Sequence, residues 1–286
     1  MINLWYEDSH LGANMSGPKK VIENLKKSLL KENIDYVINE DKYSLNFLLH
    51  YDDIAYKKHE NLEHSSCFIG PQFWPFGYLA DFLRDNPSYY NQLIVPSQWV
   101  KNLHCSKLGF KEDKVSIWPV GIEIPDLNKN IEFDCLVYFK NRNPQELQQV
   151  LDFLSSKNLS HKVIKYGEYK EQDFYCLLNS CRFSILIDST ESQGIAMQEV
   201  MAYNVPLLVW DVKTWNHMGQ EYEIEATSVP YWSSSCGEKF FDFQELDLTF
   251  EKFYGNLDSY TPRQFVEENI SFSRSVKTLL EIMNAC

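Results

Sequence analysis

An α/β fold built on parallel strands is what this sequence predicts, and three neighbouring runs predict it. Phe183–Ile187, FSILI, is an apolar run of strand length, Ile195–Tyr203 carries helix formers, and Leu207–Trp210, LLVW, is a second buried strand. Asp188–Gln193 between the first two is polar and loop-like, and Asn204-Val205-Pro206 stops the helix. Strand, helix and strand within the 29 residues from 183 to 211 make a βαβ unit, whose strands lie parallel in a covered sheet. Ligands of such sheets collect beyond the carboxyl ends of the strands, where Asp188–Gly194 falls.

The remaining elements follow in chain order. Ile2–Tyr6 reads as a first strand, Glu7–Gly17 as a polar loop, and Pro18 opens a helical pattern to about Lys31. Val21, Leu25, Ser28 and Leu29 share one face of that helix, with Lys19, Lys20, Lys26, Lys27 and Lys31 largely elsewhere. An amphipathic surface helix explains this pattern, and a lysine face against anionic lipid is the alternative. Ile34–Val37, Asn46–His50 and Cys67–Ile69 read as strands, then Leu93–Pro96 as a strand before a serine-capped helix over Ser97–Lys107, then Val115–Gly121 as a strand. HENLEH at 59–64 matches neither H-E-x-x-H nor H-x-x-E-H and reads as exposed helix charge rather than a metal site. Pro125, Asn128 and Asn130 break the pattern and put a domain boundary near Ile124–Asn130. Beyond it come strand Phe133–Phe139, helix Leu147–Ser156, strand Lys162–Tyr166 and helix Gln172–Cys181, then the βαβ unit. Val212–Gly237 is rich in Trp, Tyr, Ser and Pro, with TSVPYW at 227–232 expected as strand and loop, and Thr261–Ala285 is one helical stretch opened by Pro262.

Composition bounds the function. At 286 residues the chain makes one large domain or two of ordinary size, and its 44% hydrophobic content suffices for real cores. No segment approaches the ~20 apolar residues of a membrane span. MINLWYEDSHLG lacks the basic and apolar regions of a signal peptide. The seven cysteines (67, 105, 135, 176, 181, 236 and 286) are odd in number and form no C-x2-C pair, so reduced thiols in a cytoplasmic protein are expected. A net charge of −13 argues against a nucleic-acid-binding surface. Aromatic residues, 15% of the chain, suit sugar or base stacking and large cores equally.

Glu191 and Glu199 stand in an E-x7-E spacing, the first in the loop and the second about one turn inside the helix. Free N–H groups at the helix start near Ser192–Ile195 suit a phosphate. Gly194 and Glu199 lie roughly 7–8 Å apart along the helix, about the length of a diphosphate. A polar loop glutamate and a solvated helix glutamate would give the same bare spacing. The full run ESQGIAMQEVMAYNVPLLVWD in its βαβ frame resembles the retaining glycosyltransferases of the GT-B fold, in particular glycosyltransferase family 4.

The resemblance reaches from about residue 12 to 211, and further segments carry it. SGPKKVIENL is similar to the family's glycine loop, with Ser16-Gly17 standing for its pair of glycines; Gly70-Pro71-Gln72 resembles a G-P-N, VPSQWVKNL a v-P-S-e-W-V, and VSIWPVG the exit to the linker. It implies two Rossmann-like domains facing across a cleft: 1–126 on the acceptor side, 127–261 on the donor side, and a last helix at 262–286 packing back on the first. It implies transfer of a sugar, with retention, from a UDP- or GDP-sugar to the hydroxyl of a carbohydrate or glycolipid acceptor. Lys140, Arg142 and the helix start at Ser192, Gln193, Gly194 and Ile195 would stabilise the departing diphosphate, approached also by Gly17; Glu191 would hold sugar hydroxyls and Glu199 the ribose. Gly167 and Tyr169 (or Tyr166) are candidates for the base, Gln72 and His50 for the acceptor side, with no catalytic histidine assigned. The family's lysine five or six positions after the strand end is replaced by Gln145 or Glu146, with Arg142 as substitute. No D-x-D stands at a strand end, so neither metal nor another cofactor is expected beyond the donor itself, and peripheral membrane contact remains open. A nucleotide-sugar 2-epimerase and an inactive sugar- or nucleotide-binding homologue are the alternatives.

Overall fold

The computed structural model describes residues 1–7, 16–41, 43–60, 66–217 and 219–285. Most of the loop expected at 7–17, most of HENLEH, and Cys286 lie outside them. The chain divides into two units, Met1–Gly121 with Ile270–Cys286, and Ile122–Asn269.

The first unit carries β1 (Ile2–Trp5), α1 (Gly17–Lys31), β2 (Tyr36–Ile38), β3 (Leu45–Tyr51), α2 (Asp53–His59), β4 (Ser66–Phe73), α3 (Tyr78–Asp85), β5 (Gln92–Val95), α4 (Gln98–Asn102) and β6 (Val115–Ile117). Its six strands are all parallel, in the order β2-β1-β3-β4-β5-β6. The near-continuous burial of β1, β3 and β5 is that of strands covered on both faces. The serine-initiated helix is shorter than expected: α4 gives way to a π-helical turn over Leu103–Lys107, and Ser97 stands at the N-cap position without a side-chain cap bond.

The second unit carries β7 (Phe133–Phe139), α5 (Pro144–Ser156), β8 (His161–Lys165), α6 (Glu171–Ser180), β9 (Cys181–Ile187), α7 (Ile195–Ala202), β10 (Leu207–Trp210), β11 (Thr214–His217), β12 (Gln220–Glu225), β13 (Gly237–Phe240), α8 (Leu246–Gly255) and α9 (Pro262–Asn269). Its main sheet is also parallel, in the order β13-β10-β9-β7-β8. Counted within each sheet, the first runs 2-1-3-4-5-6 and the second 2-1-3-4-5, both in the doubly wound order that reverses between the first strand and the third. In the second unit that switch point lies between β7 and β9. The core beneath it is aromatic and aliphatic, with Phe183, Phe240, Phe253, Val150 and Ile185 fully buried.

Other expectations change as well. TSVPYW is irregular, and the strand near it is instead the antiparallel hairpin β11–β12. The edge strand β13 escapes the sequence pattern because it is only four residues long and half charged, Gly237-Glu238-Lys239-Phe240. The stretch 261–285 is two helices, broken at Ile270-Ser271: α9 and α10 (Phe272–Asn284). Arg263 in α9 donates to the Pro125 and Ala202 carbonyls at 2.7 and 3.1 Å, which ties that helix to the second unit. Only α10 returns to the first, packing on α1 and accepting a 2.9 Å bond from Trp118 Nε1 at the Ser275 carbonyl. The divisions therefore fall after Gly121 and Asn269 rather than after residues 126 and 261.

Candidate active site

Two strand ends flank the switch point of the second unit, and the chemistry gathers on them. β7 runs into Lys140, Asn141 and Arg142, with Asn141 at φ 51° turning the chain towards α5. Asn143 caps α5 in a reciprocal capping box with Glu146. β9 runs into Asp188 and the loop that opens α7. Gly194 is the N-cap of α7 in the left-handed region, φ 77° and ψ 46°, a conformation glycine adopts without strain, and it makes no side-chain cap bond.

The Lys140 ammonium donates to Glu191, and both side chains are more than four-fifths covered. It also lies 4.3 Å from the centre of the Tyr166 ring. Burial works against the charged lysine, but Glu191 and Asp188 outweigh it and raise its pKa. Asp188 is 1% exposed. Burial, then the negative charge of Glu191, push Asp188 up to about 8, against Lys140 and the Ser189 N–H. The corner thus gathers two carboxyl groups and one ammonium, of which Lys140 and Glu191 are bonded to each other.

Arg142 is engaged otherwise. Its guanidinium makes a two-pronged contact with Glu146 at 2.5 and 2.8 Å, donates to the Asp188 carbonyl at 3.1 Å, and stacks 4.9 Å from the Trp210 ring. The Arg142 hydrogen bonds hold Glu146 below the usual carboxylate range. The glutamate in place of the expected lysine therefore occupies the arginine's fork, and the pair spans the ends of β7, β9 and β10.

One turn into α7, Glu199 accepts a 2.8 Å bond from Tyr175 Oη, which also lies 2.8 Å from Glu171. Tyr175 stacks on Tyr203, ring centres 5.4 Å apart. Burial, then Glu199, raise the Tyr175 phenol far above its ordinary value. Of the helix-start residues, Ser192 is exposed, Ile195 half-buried and Gly194 buried. Gln193 turns inward, its amide bonded to Gln198. Gly167, at φ 82°, is exposed. Tyr169 is half-buried, its hydroxyl 3.3 Å from that of Tyr138 and its ring packed on Phe174. That contact makes Tyr169 part of the packing of α6, and Tyr166 is the exposed aromatic beside the ammonium.

Behind the site, Asp211 at the end of β10 is 3% exposed. It accepts from Lys239 Nζ at 2.8 Å, from the Thr227 and Ser228 hydroxyls, and from the Val212 and Ser228 N–H groups. Burial raises its pKa, but Lys239 and these donors prevail and lower it. The loop so anchored reaches the site, since the Thr227 carbonyl accepts from the Glu191 N–H at 3.1 Å.

The other predicted residues lie in the first unit. Gln72 accepts from or donates to His50 Nδ1 at 3.2 Å and donates to the Pro18 carbonyl at 2.9 Å, so the two acceptor-side candidates meet each other and the start of α1. Gly17 is the first residue of α1, and Ser16 serves as its N-cap, accepting from the Lys19 N–H. The first glycine of the expected pair is thus replaced by a capping serine.

Sequence reasoning passed over Asp188, Tyr175 and Asp211 as functional groups. The signal for the two aspartates was present: each is the first polar residue after an apolar strand. For Tyr175 no local signal exists, because its partner Glu199 lies on another helix. Among the described residues no group of three or more His, Cys, Asp or Glu is arranged to hold a metal ion, and no helix is long and apolar enough to cross a membrane. The six described cysteines are free.

No protein-family model and no curated protein sequence matches the chain. Solved structures do. A lipopolysaccharide outer core galactosyltransferase, WaaB, aligns over 99% of both chains at TM-score 0.65 and 11% identity. The fold is GT-B. The sucrose-phosphate synthase of Thermosynechococcus elongatus aligns over 99% of this chain and 98% of its own at TM-score 0.61 and 8% identity. TarM of S. aureus, solved with fondaparinux, α-GlcNAc-glycerol and UDP, aligns over 92% of this chain and 59% of its own, at TM-score 0.59 and 13% identity. At these identities the likeness is one of fold.

Proposed function

We propose that the protein is a retaining glycosyltransferase of the family 4 type, which moves a sugar from a nucleotide-diphosphate sugar to a hydroxyl of a glycan or glycolipid, without a metal ion. The observation that carries this reading is the meeting of Lys140 and Glu191 at the switch point, with a left-handed Gly194 opening α7 and Glu199 one turn along it. The diphosphate lies at the N-terminus of α7, where the helix dipole and backbone N–H groups favour negative charge. Lys140 moves from Glu191 to the leaving diphosphate and offsets the charge that grows on it in the transition state. Glu199, aligned by Tyr175, accepts hydrogen bonds from the ribose hydroxyls. Glu191 holds donor-sugar hydroxyls. Tyr166 is placed to stack against the nucleotide, and Arg142 secures the strand ends through Glu146. Gln72 and His50 form an acceptor-side pair.

The test is thermal-shift binding of UDP, GDP, ADP and their common sugar conjugates, with chelator present. A ligand of the native state raises the melting temperature by mass action, by about 2.7 kcal/mol of stability at a hundredfold excess over Kd. The expected result is a selective shift with one nucleotide, followed by transfer from its sugar conjugate with retained anomeric configuration. No shift with any of them, or isomerised donor in the absence of acceptor, overturns the reading.

A further inference from the structure

The first unit carries an aromatic surface that the reaction above leaves without a part. All seven tryptophans lie among the described residues, and of them only Trp74 is exposed, at 54%. Tyr78, four positions on, is 64% exposed. Both stand in FWPFGY at 73–78, between the end of β4 and the start of α3. Clustered exposed rings mark an interaction site, whereas a single one would not.

The rings are held in place. Phe76 packs edge-on against Trp74, ring centres 5.7 Å apart. The Tyr78 hydroxyl donates to the carboxylate of Asp53 in the first turn of α2, while its ring stays open to solvent. Gly77, at φ 93°, turns the chain between them. β3 and β4 are neighbours, with His50 opposite Gln72 and Tyr51 opposite Phe73, so α2 and the 73–78 loop leave the sheet side by side at its carboxyl end. Ile54, 48% exposed, follows Asp53 there. Trp74 is two positions beyond Gln72, whose side chain meets His50 at 3.2 Å. Open ring faces and a polar pair thus share one edge of the first unit.

We propose that the acceptor of this protein is a neutral oligosaccharide, whose sugar rings stack on Trp74 and Tyr78. Its role as acceptor rests on the nucleotide-sugar reading; its binding at these rings does not. A pyranose presents C–H groups on its faces and hydroxyls at its rim. The faces suit an aromatic plane, and the rim needs donors and acceptors, which Gln72 and His50 supply. Two separate open rings serve a chain of sugars, whereas a single small ligand is held in a concave pocket.

Charge separates this occupant from a bilayer. Trp and Tyr also anchor proteins at lipid interfaces, but lysines and arginines accompany them there. The two runs that build the platform, 50–56 and 72–83, contain no lysine or arginine and include Asp52, Asp53 and Asp81. The basic residues of α2 and α3 stand in their last turns, where Lys58 pairs with Asp41, and Arg84 with Asp81 and Asp85. An anionic surface would meet carboxylates at the platform, and an uncharged sugar has no charge for them to repel.

The experiment is fluorine NMR of the whole chain labelled with fluorotryptophan, titrated with maltoheptaose, cellopentaose, chitopentaose and mannopentaose. Vesicles of phosphatidylcholine with phosphatidylglycerol are the comparison. Trp74→Phe identifies the Trp74 signal by its loss. The expected result is a saturable shift of that signal with at least one oligosaccharide. In calorimetry Trp74→Ala then binds it about tenfold more weakly, and Trp74→Phe, which keeps a smaller ring, within about threefold. Tyr78→Ala is the second variant if Trp74→Ala fails to fold, and it also weakens binding. A Trp74 signal that no oligosaccharide moves, or that the vesicles move instead, overturns the proposal. So does a dimer in analytical ultracentrifugation that Trp74→Ala dissociates.

Thermal-shift binding of UDP, GDP and ADP separates the two layers. If an oligosaccharide binds at Trp74 and no nucleoside diphosphate raises the melting temperature, the nucleotide-sugar reading falls and the acceptor role with it. If a nucleotide binds and no oligosaccharide reaches Trp74, the platform alone falls.

Discussion

Asp188 and Asp211 end neighbouring parallel strands, β9 and β10, and are buried to nearly the same degree, 1% and 3% exposed. Their titration is opposite. Asp211 meets a lysine, two hydroxyls and two N–H groups, and burial loses to them. Asp188 meets an N–H and feels the charges of a second carboxyl and of a lysine already committed to that carboxyl, and burial wins. The same residue type at the same place in the fold is thus a lock at one strand and a poised group at the next. Burial alone does not decide the charge of an aspartate; the number of donors brought to it does.

The largest effect that would break this comparison is on stability at Asp211. Asp211→Ala leaves Lys239 without its partner and the Thr227 and Ser228 donors unsatisfied, and is expected to cost ~3–5 kcal/mol in urea unfolding, the scale for removing one member of a buried pair. A cost below about 1 kcal/mol would remove the lock. Lys140→Ala is the converse case: turnover should fall roughly 10²–10³-fold, as for loss of one group that stabilises transition-state charge, with the variant still folded despite the stability lost with its Glu191 bond. Unfolding of this variant, or a larger turnover loss in Arg142→Ala, would reverse the roles assigned to the two cations.

A third effect lies in the pH dependence of stability. The folded pKa of Asp211 is lowered, so its contribution is present above the unfolded value near 4 and is lost as pH falls through the folded one. Asp188 is raised to about 8, so the folded state binds a proton that the unfolded state has released, and stability is lost as pH rises from about 4 to about 8. Between pH 4 and 8, Asp188→Asn should therefore gain on wild type by at least ~1.4 kcal/mol, the worth of one pKa unit, while Asp211→Asn should be least sensitive to acid. Parallel stability curves for Asp188→Asn and wild type would contradict the assignment. The smallest effect is at Tyr175. Tyr175→Phe removes the hydroxyl that aligns Glu199 and should weaken nucleoside-diphosphate binding by ~0.5–1.5 kcal/mol, read as Kd, with affinity equal to wild type counting against the ribose assignment.

Much of this corner is legible in the chain itself. The run from Phe183 to Asp211 announces strand, loop, helix and strand through apolar runs and a Pro stop, and the structure has β9, α7 and β10 there. The E-x7-E spacing places Glu191 in the loop and Glu199 one turn on, and Lys140 follows a strand as read. The Arg142–Glu146 pair is only four positions apart but was not read from the sequence, because Arg142 lies before the Asn143 cap of α5 rather than on the helix, and Glu146 was taken only as a missing lysine. Lys239 was not legible, because the charged edge strand that carries it imitates a loop.

The sequence by itself determined the backbone of the central βαβ unit: that 183–187 and 207–210 are strands, that a helix stands between them, and that the two strands lie parallel. Those features depend on patterns a few residues long, because the period of burial and the turn chemistry act locally. Only the tertiary structure decided which charges meet. Lys140 and Glu191 are 51 positions apart, Lys239 and Asp211 are 28, and Tyr175 and Glu199 are 24. A carboxyl's proton depends on the water it loses and the donors it gains, and both are set by chain segments that only the folded sheet brings together.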